Sequence, residues 1–403
     1  MQILTLNTGS SSLKFALYES QRGGEGEGAP AICERVLHGA IQGIGRSPTS
    51  IRVAHDGGDV RTIEMEIPER EAALRWLVTE LEREGIWSEV AAVGHRFVHG
   101  GLAYREPVLV TCGVRDTIAQ LIPLAPEHLP GELAALDLIT RTNPSLPQVA
   151  CFDTAFHADL PLEARLFGIP RRLADDGVVR YGFHGLSYEY ATTVLRERGQ
   201  LGARTVIAHL GNGASMAAIA NGKSIDTSMG FTPVGGFVMS TRSGDIDPGV
   251  ILYLLEERKL PLREVDTLLR STGGLLGLSG TASDMRDLLA RSPSDARAAD
   301  AVAVFCYQIR KFLGAYVAVL CGLDTLVFTG GIGENSPEIR ARICDSLHYF
   351  GIQLDPEANA AGEPIISRAG SSVVVHVVRT NEESVIARHT LRVVLHGVGT
   401  DHD

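Results

Sequence analysis

"LTLNTGSSSLKFALYES", residues 4–20, sets two runs of alternating apolar and polar residues around a tight Thr8-Gly9-Ser10-Ser11-Ser12 turn. Alternation of period two predicts half-buried strands, and a Gly-Ser turn between them predicts a hairpin. Such a turn needs only one glycine. This one also gathers Asn7, Ser10, Ser12 and, just beyond, Lys14, which are donors suited to phosphate, hydroxyl groups or magnesium. A solvated surface turn explains them equally well, so the rest of the chain must decide.

At 403 residues the chain predicts two domains. Its 44% hydrophobic and 21% charged residues are those of an ordinary soluble globular protein. A net charge of -11 argues against nucleic-acid partners, whose phosphates call for a basic face. No apolar run approaches the roughly 18 to 20 residues of a membrane span. Asn7 and the polar turn interrupt the N-terminus where a signal peptide has its apolar core. The six cysteines, Cys33, Cys112, Cys151, Cys306, Cys321 and Cys344, are scattered in mostly apolar surroundings without a C-x-x-C pair. That pattern suits reduced, buried thiols and a cytoplasmic location better than disulfides or zinc.

Along the chain, residues 19–31 ("ESQRGGEGEGAPA") predict a mobile loop. Residues 70–85 predict an amphipathic helix, 90–101 a strand running into a glycine turn, 131–143 a helix and 146–157 a buried strand ending in polar residues. Such alternation indicates an α/β protein. The opening pattern returns at 205–223, "TVIAHLGNGASMAAIANGK", again strand, glycine-rich turn, strand. Two related lobes with phosphate-type turns, and a nucleotide between them, are the expectation.

Further chemistry collects downstream. In "LVFTGGIGENSPEIRARI", residues 326–343, an apolar strand enters a Gly330-Gly331-Ile332-Gly333 turn, and Asn335-Ser336-Pro337-Glu338 then opens a helix. Free N–H groups at a helix start suit an anion, although neither the Walker A nor the dinucleotide spacing is present. In "STRSGDIDPG", Asp247-Pro248 reads as a helix cap, whereas a helix start has no use for Arg242. His95 and His99 have the i, i+4 spacing of a zinc helix, but on a strand they lie about 13 Å apart, too far to share a metal.

The ordered set "LNTGSSSLKF", "GHRFVHGG", "FDTAFH", "RYGFHGLS", "HLGNGAS", "DTSMGFTP", "STRSGDIDPG", "FTGGIGENSPEIR" and "RTNEE" resembles the acetate kinase family, from residue 3 to about residue 390. The resemblance implies a two-lobed actin-like ATPase fold of duplicated ribonuclease H-like domains, with an active-site cleft between the lobes. Residues 1–153 plus 385–403 would form the N-terminal lobe, and residues 154–384 the C-terminal lobe for nucleotide binding and dimerisation. It further implies a homodimer, ATP as co-substrate, and magnesium (or manganese) positioned by Asn7 and Glu383. Asp153, His184 and Arg242 match the catalytic residues, and Arg96 the carboxylate-binding arginine. His128, Val98, Phe183 and Pro233 match the rest of the substrate pocket. Ser10, Ser12 and Lys14 would approach the phosphates. His209, Leu210, Gly211, Asn212 and Gly213, then Asp284, Met285 and Arg286, then Gly331, Ile332, Gly333, Glu334 and Asn335 match the nucleotide-binding segments.

The implied chemistry is coherent. Joining a carboxylate to a triphosphate brings two anions together, and Arg96, Arg242, Lys14, magnesium and a His184 donor supply the neutralisation. A carboxyl group with a pKa near 4 to 5 is ionised at pH 7, so no base is needed, and Asp153 reads as orienting an arginine or a metal-bound water. The chain departs from the family at "APEHLPGEL", where Glu127 replaces a pocket leucine and Leu129 an asparagine. "GLSYEY" and Gly235 are further departures. Acetate is therefore the first expected acceptor and propionate or another C3–C4 acid the second. An actin- or Hsp70-like ATPase switch and a phosphate-releasing hydrolase are the rivals from other classes; neither needs a carboxylate-binding arginine.

Overall fold

The computed structural model describes residues 1–9, 11–21 and 32–397. Ser10 and residues 22–31 of the expected loop lie outside them, while Glu19–Gln21 continue a strand. Two compact units are formed, one by Met1–Ala155 with Asn381–Asp403, the other by Phe156–Thr380.

The first unit is built on an eight-stranded sheet of order β5-β4-β3-β2-β1-β6-β8-β7. Its strands are β1 (Gln2–Thr8), β2 (Ser12–Gln21), β3 (Ile32–Gln42), β4 (Thr49–His55), β5 (Val60–Met65), β6 (Val90–Phe97), β7 (Val108–Leu109) and β8 (Gln148–Phe152). β1 and β2 form the expected antiparallel hairpin, Asn7 facing Lys14 across it. β6 runs parallel to both β1 and β8. Helices Arg70–Arg83 and Leu129–Thr142 cover one face, where Leu74, Leu77 and Ile139 join Leu4, Leu6, Phe15 and Leu17 in one core.

The opposite face carries a correction. Ile3, Ala16 and Tyr18 are covered by Ala387 and Leu391 of the helix Glu382–Gly397. β1 is thus buried on both faces, where alternation alone predicted one. Residues 154–155 and 381–384, expected in the second lobe, group with this unit as well. Tyr18 Oη donates to Asn381 Oδ1 at 3.0 Å, anchoring the start of that helix to the sheet.

The second unit holds a five-stranded sheet, β11-β10-β9-β12-β13. These are β9 (Arg204–Leu210), β10 (Ala214–Ala220), β11 (Lys223–Thr227), β12 (Thr325–Thr329) and β13 (Val374–Val377). An antiparallel hairpin, β9–β10, again has a parallel strand beside its first member. The order β3-β2-β1-β6-β8 and the order β11-β10-β9-β12-β13 match in both sequence and direction. Gly330–Asn335, expected as a turn, is a short helix, and the capped helix Pro337–Cys344 follows it. Ser336 Oγ accepts from Ile339 N, and Asp247 caps the helix Pro248–Glu256 through Gly249 N.

Two expectations from composition need amending. Cys112 and Cys321 are exposed, whereas Cys151, Cys306 and Cys344 are buried, and all five are free thiols. The 24-residue helix Ala296–Val319 is long and apolar enough to span a bilayer, although no uninterrupted apolar run announces it. Its Val302, Phe305, Ile309 and Leu313 are fully buried in the second unit.

Gly94, in β6, lets the last helix lie directly on the sheet. A methyl group there would overlap Thr390 Oγ1 and approach Ile386 Cγ2 to 2.5 Å. Gly94→Ala should therefore lower the stability of the first unit by about 1–3 kcal/mol. Trp76 and Trp87 both pack on this unit's core, so a lower urea midpoint in tryptophan fluorescence reads the loss. An unchanged midpoint would mean that the helix moves aside without cost.

Candidate active site

β6 and β8 lie in parallel register with Phe97 opposite Phe152, which brings Arg96 and Asp153 to the same end of the sheet. Asp153 N donates to Phe97 O, fixing the backbone just past β8. The Asp153 carboxylate, fully buried, takes Arg96 in a two-pronged pair: Nη2 to Oδ2 at 2.5 Å and Nε to Oδ1 at 3.2 Å. Arg96 Nη1 donates to Asn7 Oδ1 at 3.4 Å. Burial opposes the Arg96 charge, but Asp153 and Glu382 outweigh it and raise its pKa, so it is permanently cationic. Asn7 in turn directs Nδ2 to Glu382 Oε2 at 2.9 Å and Glu383 Oε1 at 3.2 Å.

Arg96, Asp153, Asn7 and Glu383, foreseen from sequence, are thus one connected cluster. Glu382 and Glu132 were not foreseen. The doublet in "RTNEE" signalled two acids side by side, while nothing local marked Glu132. Lys14, exposed, lines a cavity of about 300 Å³ with Tyr18, Arg52, Asn381 and Glu383. Ser12 opens β2, its carbonyl accepting from Gly9 N. Val98 is buried and His128 half-buried in this unit. His95 bonds Gln148 and His99 accepts from Gly101 N; burial pushes both imidazoles down to about 4.

The second unit brings together a second set. His184 adopts a left-handed backbone (φ 59°) at the start of the helix Gly185–Glu197. Its Nδ1 lies 2.7 Å from Ser215 Oγ, which also bonds Tyr188 Oη. The ring stacks on His209, centroids 4.3 Å apart, and His209 Nδ1 is 2.8 Å from Ser187 Oγ. A methyl group on Gly213 would sit 3.2 Å from His184 Nε2 and 3.4 Å from Arg242 Nη1, so both side chains converge on the β9–β10 turn. Arg242 Nη1 also donates to Pro233 O at 3.2 Å. Phe183, next to His184, is buried, and its carbonyl bonds His157.

The glycine turns pack side by side. Gly330 (φ 77°) has no room for a side chain against Leu210, and a Cβ on Gly211 would lie 3.9 Å from Gly331 N. A Cβ on Gly331 would meet open space. Ser240 N and Oγ donate to Asn212 O and Oδ1. Several expected nucleotide contacts are engaged within the protein: Glu334 Oε1 accepts from Gly330 N and Thr380 N, and Asn335 Nδ2 donates to Gly331 O. Asp284 caps the helix Met285–Arg291 and pairs with Arg286, while Met285 is buried.

Beneath this loop lies Arg340, fully buried and unassigned by sequence. Its Nη1 donates to Gly333 O and Glu334 O, its Nε to Asn359 Oδ1 and its Nη2 to Asn359 O. By engaging these carbonyls it fixes the Gly330–Asn335 helix from behind. Arg340→Met would orphan buried acceptors at about 1–3 kcal/mol each. The expected result is faster amide hydrogen exchange across residues 330–335 and a lower unfolding midpoint; unaltered exchange there would refute the role.

The sequence pattern of the acetokinase family matches residues 2–388. The acetate kinase of Methylocella silvestris is 44% identical over 397 residues, covering 96% of this chain and 97% of that protein. Among solved structures, Porphyromonas gingivalis acetate kinase superposes with a TM-score of 0.84 at 36% identity, covering 98% of this chain and 99% of that one. A propionate kinase from Francisella tularensis does so with a TM-score of 0.87 at 34% identity, covering 97% and 99%. With this agreement over nearly its whole length, the chain belongs to the acetokinase family.

Proposed function

We propose that this protein is a carboxylate kinase that transfers the γ-phosphoryl group of ATP to acetate, yielding ADP and acetyl phosphate. One observation carries the choice of acceptor class: both oxygens of Asp153 are engaged by Arg96. An acid so paired is a poor proton acceptor, which disfavours a hydroxyl substrate needing deprotonation. A carboxylate needs no base, and a cation facing it is what its binding demands.

In this reading, Arg96 receives the acceptor carboxylate while Asp153 holds the guanidinium plane. Val98, His128, Phe183 and Pro233 frame the alkyl end. A carboxylate oxygen attacks the γ-phosphorus in line; the bond to the β–γ bridging oxygen breaks, and ADP takes its electron pair. Arg242 and His184 Nε2 supply donors to the equatorial oxygens, where charge spreads in the transition state. Ser215 and Tyr188 hold the His184 ring for that task. The turns at Leu210–Gly213 and Gly330–Gly331 suit the phosphate chain, and Lys14 adds a cation.

The Glu382 and Glu383 carboxylates, held side by side by Asn7 Nδ2, are oxygen donors that would suit a magnesium ion, with the rest of its shell from water and phosphate. Bound there, it would neutralise phosphate charge. Exposed Val250, Leu252 and Tyr253 on the helix Pro248–Glu256, with Leu262 beyond it, support a homodimer, and the substrates support a cytoplasmic setting. Propionate is the second reading: the solved propionate kinase is a close structural match, and Glu127 and Leu129 alter the pocket loop.

Incubation with ATP, magnesium and C2–C4 carboxylates, trapping acyl phosphate with hydroxylamine, should give hydroxamate first from acetate, then propionate. ATP turnover indifferent to the acid would sink the reading. Arg242→Lys keeps the charge but loses the planar fork of donors, and should lower kcat at least about tenfold. Near-normal turnover would make Arg242 a structural cation.

A further inference from the structure

Glu132 is a buried acid to which the chemistry above gives no part. It sits in the first turn of the helix Leu129–Thr142 and is 1% exposed. Oε2 accepts from the Val98 backbone N–H at 3.0 Å. Oε1 is buried too, and among the described residues it has no hydrogen-bond partner. An ionised carboxylate would keep that oxygen charged and unsolvated, whereas a carboxylic acid avoids the penalty.

The charged groups facing it are Arg96 from β6, Asp153 beyond β8 and Arg70 from the helix Arg70–Arg83. Burial is the largest influence and pushes its pKa up to about 8; Arg96, the Val98 N–H and Arg70 pull down, and Asp153 adds to the rise. Arg96 and Asp153 cancel as a pair. An ionised Glu132 would add a further negative charge, beyond Asp153 and Glu382, beside the guanidinium that must accept an anionic substrate, with Arg70 the weakest of the groups opposing it. A protonated one leaves the pair neutral.

We propose that Glu132 is a positioning residue of the carboxylate-binding end: as a neutral acid it holds the Val98 backbone and keeps a competing negative charge away from Arg96. The proposal rests on the carboxylate kinase reading. Its sign is definite: protonated Glu132 favours acceptor binding, so affinity for the acid falls as pH rises through the Glu132 titration, and affinity for ATP does not follow.

The test is the KM for acetate across about pH 6.5 to 9.5, in the hydroxamate assay. In the unaltered enzyme it should rise from about pH 8 upward and level off once Glu132 is fully ionised. Glu132→Gln keeps an acceptor for Val98 N–H but cannot ionise, and should abolish the rise. Glu132→Leu should also lack the rise but show a higher KM throughout, because Val98 loses its acceptor. A rise that persists in the Gln variant, or is shared by the KM for ATP, overturns the proposal. Should the variants not fold, carbon-13 NMR of the unaltered protein should reveal one glutamate carboxyl titrating near pH 8, and its absence overturns the proposal equally. Failure to form hydroxamate at any pH overturns the functional reading itself; hydroxamate formation with a pH-independent KM overturns only the role of Glu132.

Discussion

A guanidinium enclosed by acids sets the terms for the first unit. Withdrawing Arg96 from water costs several kcal/mol unless its donors are met, and β6 meets them only because β8 runs parallel beside it in one register. The same group reaches Asn7 on β1, and Asn7 reaches the two glutamates that open the final helix. Strand order, the close approach at Gly94 and the return of the chain at Asn381 thus serve one charge arrangement. Misplacing any of them would strand a buried charge, the costliest error available to this fold.

The second unit solves a different problem with backbone. Its candidate site is made by a turn that tolerates no side chain at Gly330, a left-handed histidine and two stacked imidazoles whose Nδ1 atoms are occupied by serines. Holding a ring from its Nδ1 side leaves Nε2 to point at Gly213, where Arg242 also points. Orientation here comes from short hydroxyl bonds, while in the first unit it comes from ion pairs. The contrast fits the division of labour, with a carboxylate to be matched in charge and a phosphate chain to be met by N–H groups.

Much of this was legible in the residues. Both hairpins, the flanking helices and the Ser336 and Asp247 caps follow from period, glycine and capping chemistry. Arg242 stood at a helix start that has no use for a cation, while Asn7, Arg96, Asp153 and His184 were reached through the resemblance to the acetate kinase family. What was not legible depends on partners distant in sequence. The second covered face of β1 comes from a helix near the far end of the chain. Glu132 looks like any acid in a first helical turn until Val98 and Arg96 are seen around it. Glu334 stands in a phosphate-type loop, yet its carboxylate ties that loop to Thr380.

The discontinuity of the first unit also bears on how the protein is made. Strands β1 to β8 leave the ribosome early, but the helix that covers Ile3, Ala16 and Tyr18 emerges only after the whole of Phe156–Thr380. The second unit, continuous in sequence, can close as soon as it is synthesised. The first must wait with one apolar sheet face bare, a state prone to association in multidomain chains. The unit whose strands are made before the other's is therefore the one that finishes folding last, and chaperone dependence should concentrate in that interval.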